Sequence, residues 1–345
     1  MRLSSLTVLL ASAALACGDA GPDNGFEWQH TTAASVGLDQ ARLDAMRAHI
    51  EGSLPNVNAV VIVRGGQVAF QWYALNRDGY YPYDTHSITK SWVATFIGIG
   101  LQEGWIGSLD DPLTIYFPEV FDDPGIDPRL ANVTIRHLMT MSSGIEDEQT
   151  NRFPAGTEDF VNKLLHVPLL HDPGSRFLYD GTQPHILSGL ITRVRGRNLA
   201  DLGREGLFAD MNISRGQWHH DRDGVNNGGT ALIMSALDLA KLGELYLRDG
   251  VWQGTRYLPP GFAEAVAGTV SFPLENSFAD YASLWWTTDQ YGELMWIAAG
   301  FRGQLVVVMP ALDIVVVVQQ ESYELRGELR PTLPLITNYV IPAAR

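Results

Sequence analysis

The sequence predicts an α/β (α+β) fold: an antiparallel sheet built from N- and C-terminal segments, flanked by helices, with a mostly helical insertion. Three observations carry this expectation. Strand-like runs come in pairs near both ends, at 59–64 (AVVIVR) with 67–74 (QVAFQWYA) and at 304–309 (QLVVVM) with 314–319 (IVVVVQ). Helical patterns and Gly/Pro turns fill the stretch 102–280 between them. Hydrophobic residues make up 46% of the chain and charged residues 18%, the balance of a globular protein with a sizeable core. Strands at both ends with helices between point to one discontinuous domain over 31–345, its sheet parts at about 31–101 and 281–345.

The elements follow in order. Arg2 and the apolar run 6–15, too short to span a bilayer, read as a signal segment over 1–16. Ala14-Leu15-Ala16 stands directly before Cys17, the single cysteine. That arrangement resembles a bacterial lipoprotein signal, with Cys17 as the lipidation site and 17–30 as a tether. The same residues satisfy plain A-x-A cleavage. Either way the expectation is export, to the periplasm or a membrane-anchored lipoprotein, and a mature domain without a disulfide. Next, 39–51 carries Leu43, Met46 and Ile50 at helical spacing, with Gly52 as a stop. Gly65-Gly66 between the first two strand runs is a two-residue hairpin signal. An apolar helix is expected around 333–340. Net charge is −15 and no basic stretch interrupts it, which argues against a nucleic-acid partner and leaves the lipid anchor as the one membrane contact.

Ser87-Ile88-Thr89-Lys90 opens a predicted helix over 87–101 that is apolar nearly all round, and hence buried. A spacing of three places both side chains on one face, so the Lys90 amine can reach the Ser87 hydroxyl. A serine hydroxyl is a weak nucleophile until a base takes its proton, and a desolvated neutral lysine can be that base. Only two further lysines exist, Lys163 and Lys241, and neither has a serine three residues earlier. Spacing alone leaves a snorkelling helix-edge lysine equally open.

S-x-x-K with these flanks resembles the serine β-lactamase and penicillin-binding-protein superfamily, and more closely its class C-like branch. That branch includes family VIII carboxylesterases and 6-aminohexanoate-dimer hydrolases. The likeness runs over nearly all of the mature chain. Its landmarks are His86 to Ser91, Leu109-Asp-Asp-Pro112, Val133 through Gly144, Pro173 through Tyr179, Ala240-Lys-Leu-Gly243 and Gly300-Phe-Arg-Gly-Gln304. The resemblance implies a β-lactamase/transpeptidase-like fold. It also makes Tyr179 of Tyr179-Asp180-Gly181 the phenol that shares a proton with Lys90. The family's Asn is Gly181 here, as in esterase-like relatives. The family's K-T-G falls on Ala298-Ala299-Gly300, of which only the glycine remains. The backbone N–H groups of Ser87 and Phe301 would form the oxyanion hole. The absent lysine, in an acidic protein, points to a neutral substrate.

Gly300, Gly181, Asp180, His185 and Trp286 are the expected substrate-binding residues. Trp285 and Tyr281 fit an aromatic pocket or plain core equally, and Asn226-Asn-Gly-Gly-Thr230 a tight loop bordering the cleft. His86 beside the nucleophile is expected to pack rather than transfer protons. No G-x-S-x-G and no metal-ligand spacing accompany these residues, His219-His220-Asp221 included, so neither metal nor cofactor is expected. The function expected is a serine hydrolase forming a covalent acyl-enzyme on a small ester or amide. A periplasmic D-amino-acid peptidase, a weak β-lactamase and a non-catalytic binding protein on the same scaffold are the alternatives.

Overall fold

A computed structural model describes residues 25–145, 158–321 and 332–345; the expected signal segment and Cys17 lie outside them. Seven strands form one antiparallel sheet: β1 (Val57–Arg64), β2 (Gln67–Tyr73), β3 (Asp280–Tyr281), β4 (Trp286–Thr288), β5 (Met295–Gly300), β6 (Gln304–Met309) and β7 (Ile314–Gln320). Their order is β2-β1-β7-β6-β5-β4-β3, so the two ends of the chain meet in the middle, where β1 pairs with β7. Gly65 and Gly66 both take positive φ, 61° and 74°, as the tight β1–β2 turn requires.

Continuous valine runs in β1, β6 and β7 have a physical reason: the sheet is covered on both faces. Along β1, Val61 and Val63 enter one core and Val60 and Ile62 the other. Along β7, Val315 and Val317 alternate with Val316 and Val318 in the same way. One face is covered by helix α1 (Gln40–Ser53) through Leu43, Met46 and Ile50, together with the C-terminal helical segment 333–344. Asp39 caps α1, its carboxylate accepting from the N–H groups of Ala41 and Arg42.

The other face carries helices α2 (Ile88–Glu103), α3 (Thr182–Arg195) and α4 (Ala236–Leu247) and the rest of the helical insertion. In α2, 13 of 16 residues are buried, which fits its apolar circumference. The insertion is not purely helical. Tyr83–Asp84, Leu232–Met234 and Gln217–Trp218 make a small three-stranded sheet. Strands of two or three residues carry too little periodicity to be read from sequence, yet this sheet anchors the start of α2. No helix among the described residues is long and apolar enough to cross a membrane.

Candidate active site

The chain enters α2 through a constrained turn. Asp84 pairs with Ile233, and Thr85 donates to the Leu232 carbonyl through both its N–H (2.9 Å) and its hydroxyl (2.7 Å). His86 then takes a left-handed φ of 48°, costly for a residue with a Cβ. Its N–H donates to Asp84 Oδ1 at 2.8 Å, and its carbonyl accepts from the Thr89 hydroxyl at 2.6 Å. Ser87 follows as the residue capping α2, one position before the helix predicted to begin with it.

Lys90 lies one turn inside α2 and is only 4% exposed. Its Nζ donates to Ser87 Oγ at 3.0 Å and to the Gly229 carbonyl at 2.7 Å. It also sits 4.9 Å from the centroid of the Tyr179 ring. Among the described residues no hydrogen bond joins the Tyr179 hydroxyl to Lys90 or Ser87; the ring, 38% exposed, presents its face to Lys90 Nζ. Trp286 and Tyr281 hold that ring from behind at 5.6 and 5.8 Å between centroids. Trp286 therefore stands beside the cleft, whereas Trp285 is fully buried against Tyr246.

The Gly229 carbonyl is placed by a loop with many internal ties. Asn227 Oδ1 accepts from the N–H groups of Gly229 (2.9 Å) and Thr230 (3.1 Å), and the Asn227 carbonyl accepts from the Trp218 indole at 2.8 Å. Asn226 donates to the Trp218 carbonyl and accepts from the Ala200 N–H. The two glycines let this loop lie against the start of α3: a Cβ on Gly228 would stand 2.0 Å from the Pro184 carbonyl oxygen, and one on Gly229 2.9 Å from Gly181 Cα. Gly300 shows the same logic at the end of β5, where an added Cβ would meet the Thr85 carbonyl oxygen at 2.3 Å. That close approach brings Phe301 beside the turn that carries Ser87, its ring edge-on to His86 at 5.7 Å.

Two expected substrate residues have other duties. The Asp180 carboxylate, one residue before the Gly181 cap of α3, accepts from the Thr182 N–H (2.7 Å), the Gln183 N–H (3.2 Å) and the Thr182 hydroxyl (2.9 Å), and so holds the start of the helix. His185 is fully buried. Its Nε2 lies 3.2 Å from Asp221 Oδ2 and its Nδ1 3.5 Å from the Gly228 N–H, which puts it against the 226–230 loop. Burial holds the His185 imidazole below its ordinary value, against the pull of Asp221. Burial lowers His86 as well, and the Arg302 charge pushes the same way against Asp84. Gly181 faces open space, with nothing within 4 Å of a Cβ built there.

Three residues on this list escaped the sequence reading. Gly229 acts through its backbone, 139 residues from Lys90, and a carbonyl leaves no mark in a motif. Asn227 belongs to the loop expected to border the cleft, but its part in fixing the Gly229 carbonyl has no mark in the sequence. Arg302 stood inside a quoted landmark, one residue after the proposed oxyanion donor, where a cation was a readable signal.

The geometry joins with the comparisons. The Beta-lactamase family matches residues 39–331. The chain belongs to that family. The 6-aminohexanoate-dimer hydrolase of Paenarthrobacter ureafaciens is 27% identical over 285 residues, covering 75% of this chain and 71% of that protein. Among solved structures, the octameric penicillin-binding protein homologue from Pyrococcus abyssi superimposes with a TM-score of 0.68 at 19% identity, over 88% of this chain and 78% of that one. The D-stereospecific amidohydrolase from Streptomyces does so with a TM-score of 0.64 at 20% identity, over 86% and 98%. These structures share the fold, and the family makes the chain a hydrolase of the β-lactamase and penicillin-binding-protein group. In this chain Ser87, Lys90 and Tyr179 lie together. Among the described residues no three His, Cys, Asp or Glu side chains are grouped to hold a metal, His219, His220 and Asp221 included.

Proposed function

We propose that the protein hydrolyses a small amide or ester through a covalent acyl-enzyme on Ser87. The observation that carries this reading is a contrast between two buried lysines. Lys241, 1% exposed, is neutralised by Asp238 at 2.7 Å and serves the core. Lys90, 4% exposed, has no carboxylate partner among the described residues; its neighbours are a serine hydroxyl, a carbonyl and a tyrosine ring. Its Nζ therefore faces the Ser87 hydroxyl with no acid to hold it elsewhere, placed to take the hydroxyl proton.

Lys90 Nζ takes the Ser87 proton as Oγ attacks the substrate carbonyl carbon. The oxyanion that forms is held by the N–H groups of Ser87 and Phe301, brought close by the β5 end at Gly300. The bond to the leaving amine or alcohol breaks as that group takes up the proton Lys90 accepted from Ser87, with the Tyr179 ring beside Lys90 at the open side of the site. Water then attacks the acyl carbon, giving a proton to Lys90, and the bond to Ser87 Oγ breaks as that proton returns to Oγ, releasing the acid and restoring Ser87. The name of the Paenarthrobacter relative supports a short linear amide as the substrate type. Replacing Lys90 with Ala is expected to lower kcat on p-nitrophenyl butyrate by about 10²–10⁴-fold, the range for a positioned base. Near-normal turnover by that variant would exclude Lys90 as the base.

A further inference from the structure

We propose that a cavity in the helical insertion, separate from the Ser87 site, binds a small organic cation with an apolar body. The cavity lies between α3, the short helix Phe160–Leu165 and the segment 117–120. Its volume of about 440 Å³ falls within the range of small-molecule pockets. Phe117, Val120, Phe160, Val161 and Val225 give it apolar walls, and none of Ser87, Lys90 and Tyr179 borders it. Gly189 of α3 lets the two helices approach each other here: a Cβ on it would stand 2.5 Å from a Val161 methyl.

Four charged side chains border the cavity, and two of them cancel. Arg193 Nη2 donates to Glu119 Oε2 at 2.9 Å, and the guanidinium carbon lies 5.4 Å from the centroid of the Phe117 ring. Asp159 and Asp223 remain. Both are exposed, and neither forms an ion pair among the described residues, although Glu158 and Arg222 beside them hold each other at 2.9 Å. Asp223 Oδ2 accepts from the Phe160 N–H at 3.1 Å, and Asp159 Oδ2 accepts from the Asn162 amide at 2.8 Å. The Oδ1 of each carboxylate is left to face a ligand.

Apolar walls beside two uncompensated carboxylates suit a positive charge carried on a hydrocarbon or aromatic body. Burying the body supplies affinity, and the carboxylates select the sign of the charge. The net charge of −15 draws cations toward the protein in the same sense. The cavity also stands one side chain away from the loop that holds the Gly229 carbonyl. The Phe160 ring lies 5.2 Å from that of His185, whose Nδ1 faces the Gly228 N–H, and Val225 leads directly into the 226–230 loop.

Benzyltrimethylammonium serves as the probe, with benzyl alcohol as its neutral counterpart and phenylacetate as its anionic one. Each is titrated into the full-length protein and followed by ligand-observed NMR. Wild-type protein is expected to bind the cation about tenfold more tightly than the alcohol, and phenylacetate more weakly than either. The double variant Asp159→Asn with Asp223→Asn keeps an acceptor for Asn162 and for the Phe160 N–H, and should bring cation and alcohol to equal affinity. Thr192→Trp, which fills the cavity from α3, should weaken both and carries the test if the double variant does not fold. Equal affinities for the three probes in wild type overturn the proposal. So does a preference for the cation that persists undiminished in either variant, as a cation lodged in the Ser87 cleft would give.

Discussion

A buried lysine normally announces itself by its counter-ion, and Lys241 with Asp238 follows that pattern. Lys90 departs from it by spending its donors on a hydroxyl and a carbonyl. The same residue-by-residue accounting explains His185, which lies under the catalytic loop and pairs with Asp221 in full burial. Burial lowers this imidazole's hold on a proton in the fold, while the unfolded chain takes one up near the ordinary value of 6.5. The unfolded state therefore binds more protons on the acid side, and stability falls as pH drops through and below about 6.5. His86 and His137, also lowered by burial, act with the same sign. Asp221, held below the carboxylate range, adds its own loss only at lower pH. Melting temperatures between about pH 7 and 5 should consequently fall less steeply for His185→Gln than for wild type, and identical slopes would refute the assignment.

At the scale of elements, the site is an agreement between three short backbone approaches: β5 on the nucleophile turn, the 226–230 loop on α3, and the capped start of α3 under Tyr179. Gly300→Ala probes the first. Its Cβ would lie 2.3 Å from the Thr85 carbonyl oxygen, so the end of β5 must move away and carry the Phe301 N–H with it. The expected outcome is a kcat about 10²-fold lower with the nucleophile intact, measured on p-nitrophenyl butyrate. Unchanged kcat would remove β5 from the mechanism. Much of this was legible beforehand. The valine runs marked strands covered on both faces, Gly65-Gly66 marked their turn, and Ser87 with Lys90 marked the helix that carries the site. What stayed hidden were backbone partnerships and two short polar residues. A Gly229 carbonyl has no side-chain signature, and Asp180 looked like a cleft residue because Asp next to a catalytic tyrosine and Asp at a helix cap are the same letter.

For the whole molecule, the two termini meet at β1 and β7 and thereby bring a helical insertion over one face of the sheet. The family's fold thus stands without a disulfide, its stability resting on two valine-rich cores on opposite faces. We propose that the chain works outside the cytoplasm, tethered through Cys17. Replacing Cys17 with Ser is then expected to move the protein from the membrane fraction to the soluble one, read by immunoblot after fractionation. Equal membrane association of both forms would exclude the lipid anchor.

The central claim is that Ser87 is the nucleophile, and active-site labelling tests it most directly. A fluorophosphonate probe should add one phosphonyl group to the wild-type protein, mapped by tandem mass spectrometry to the Ser87 peptide, and should leave Ser87→Ala unmodified. Labelling of Ser87→Ala at the wild-type rate would contradict the account.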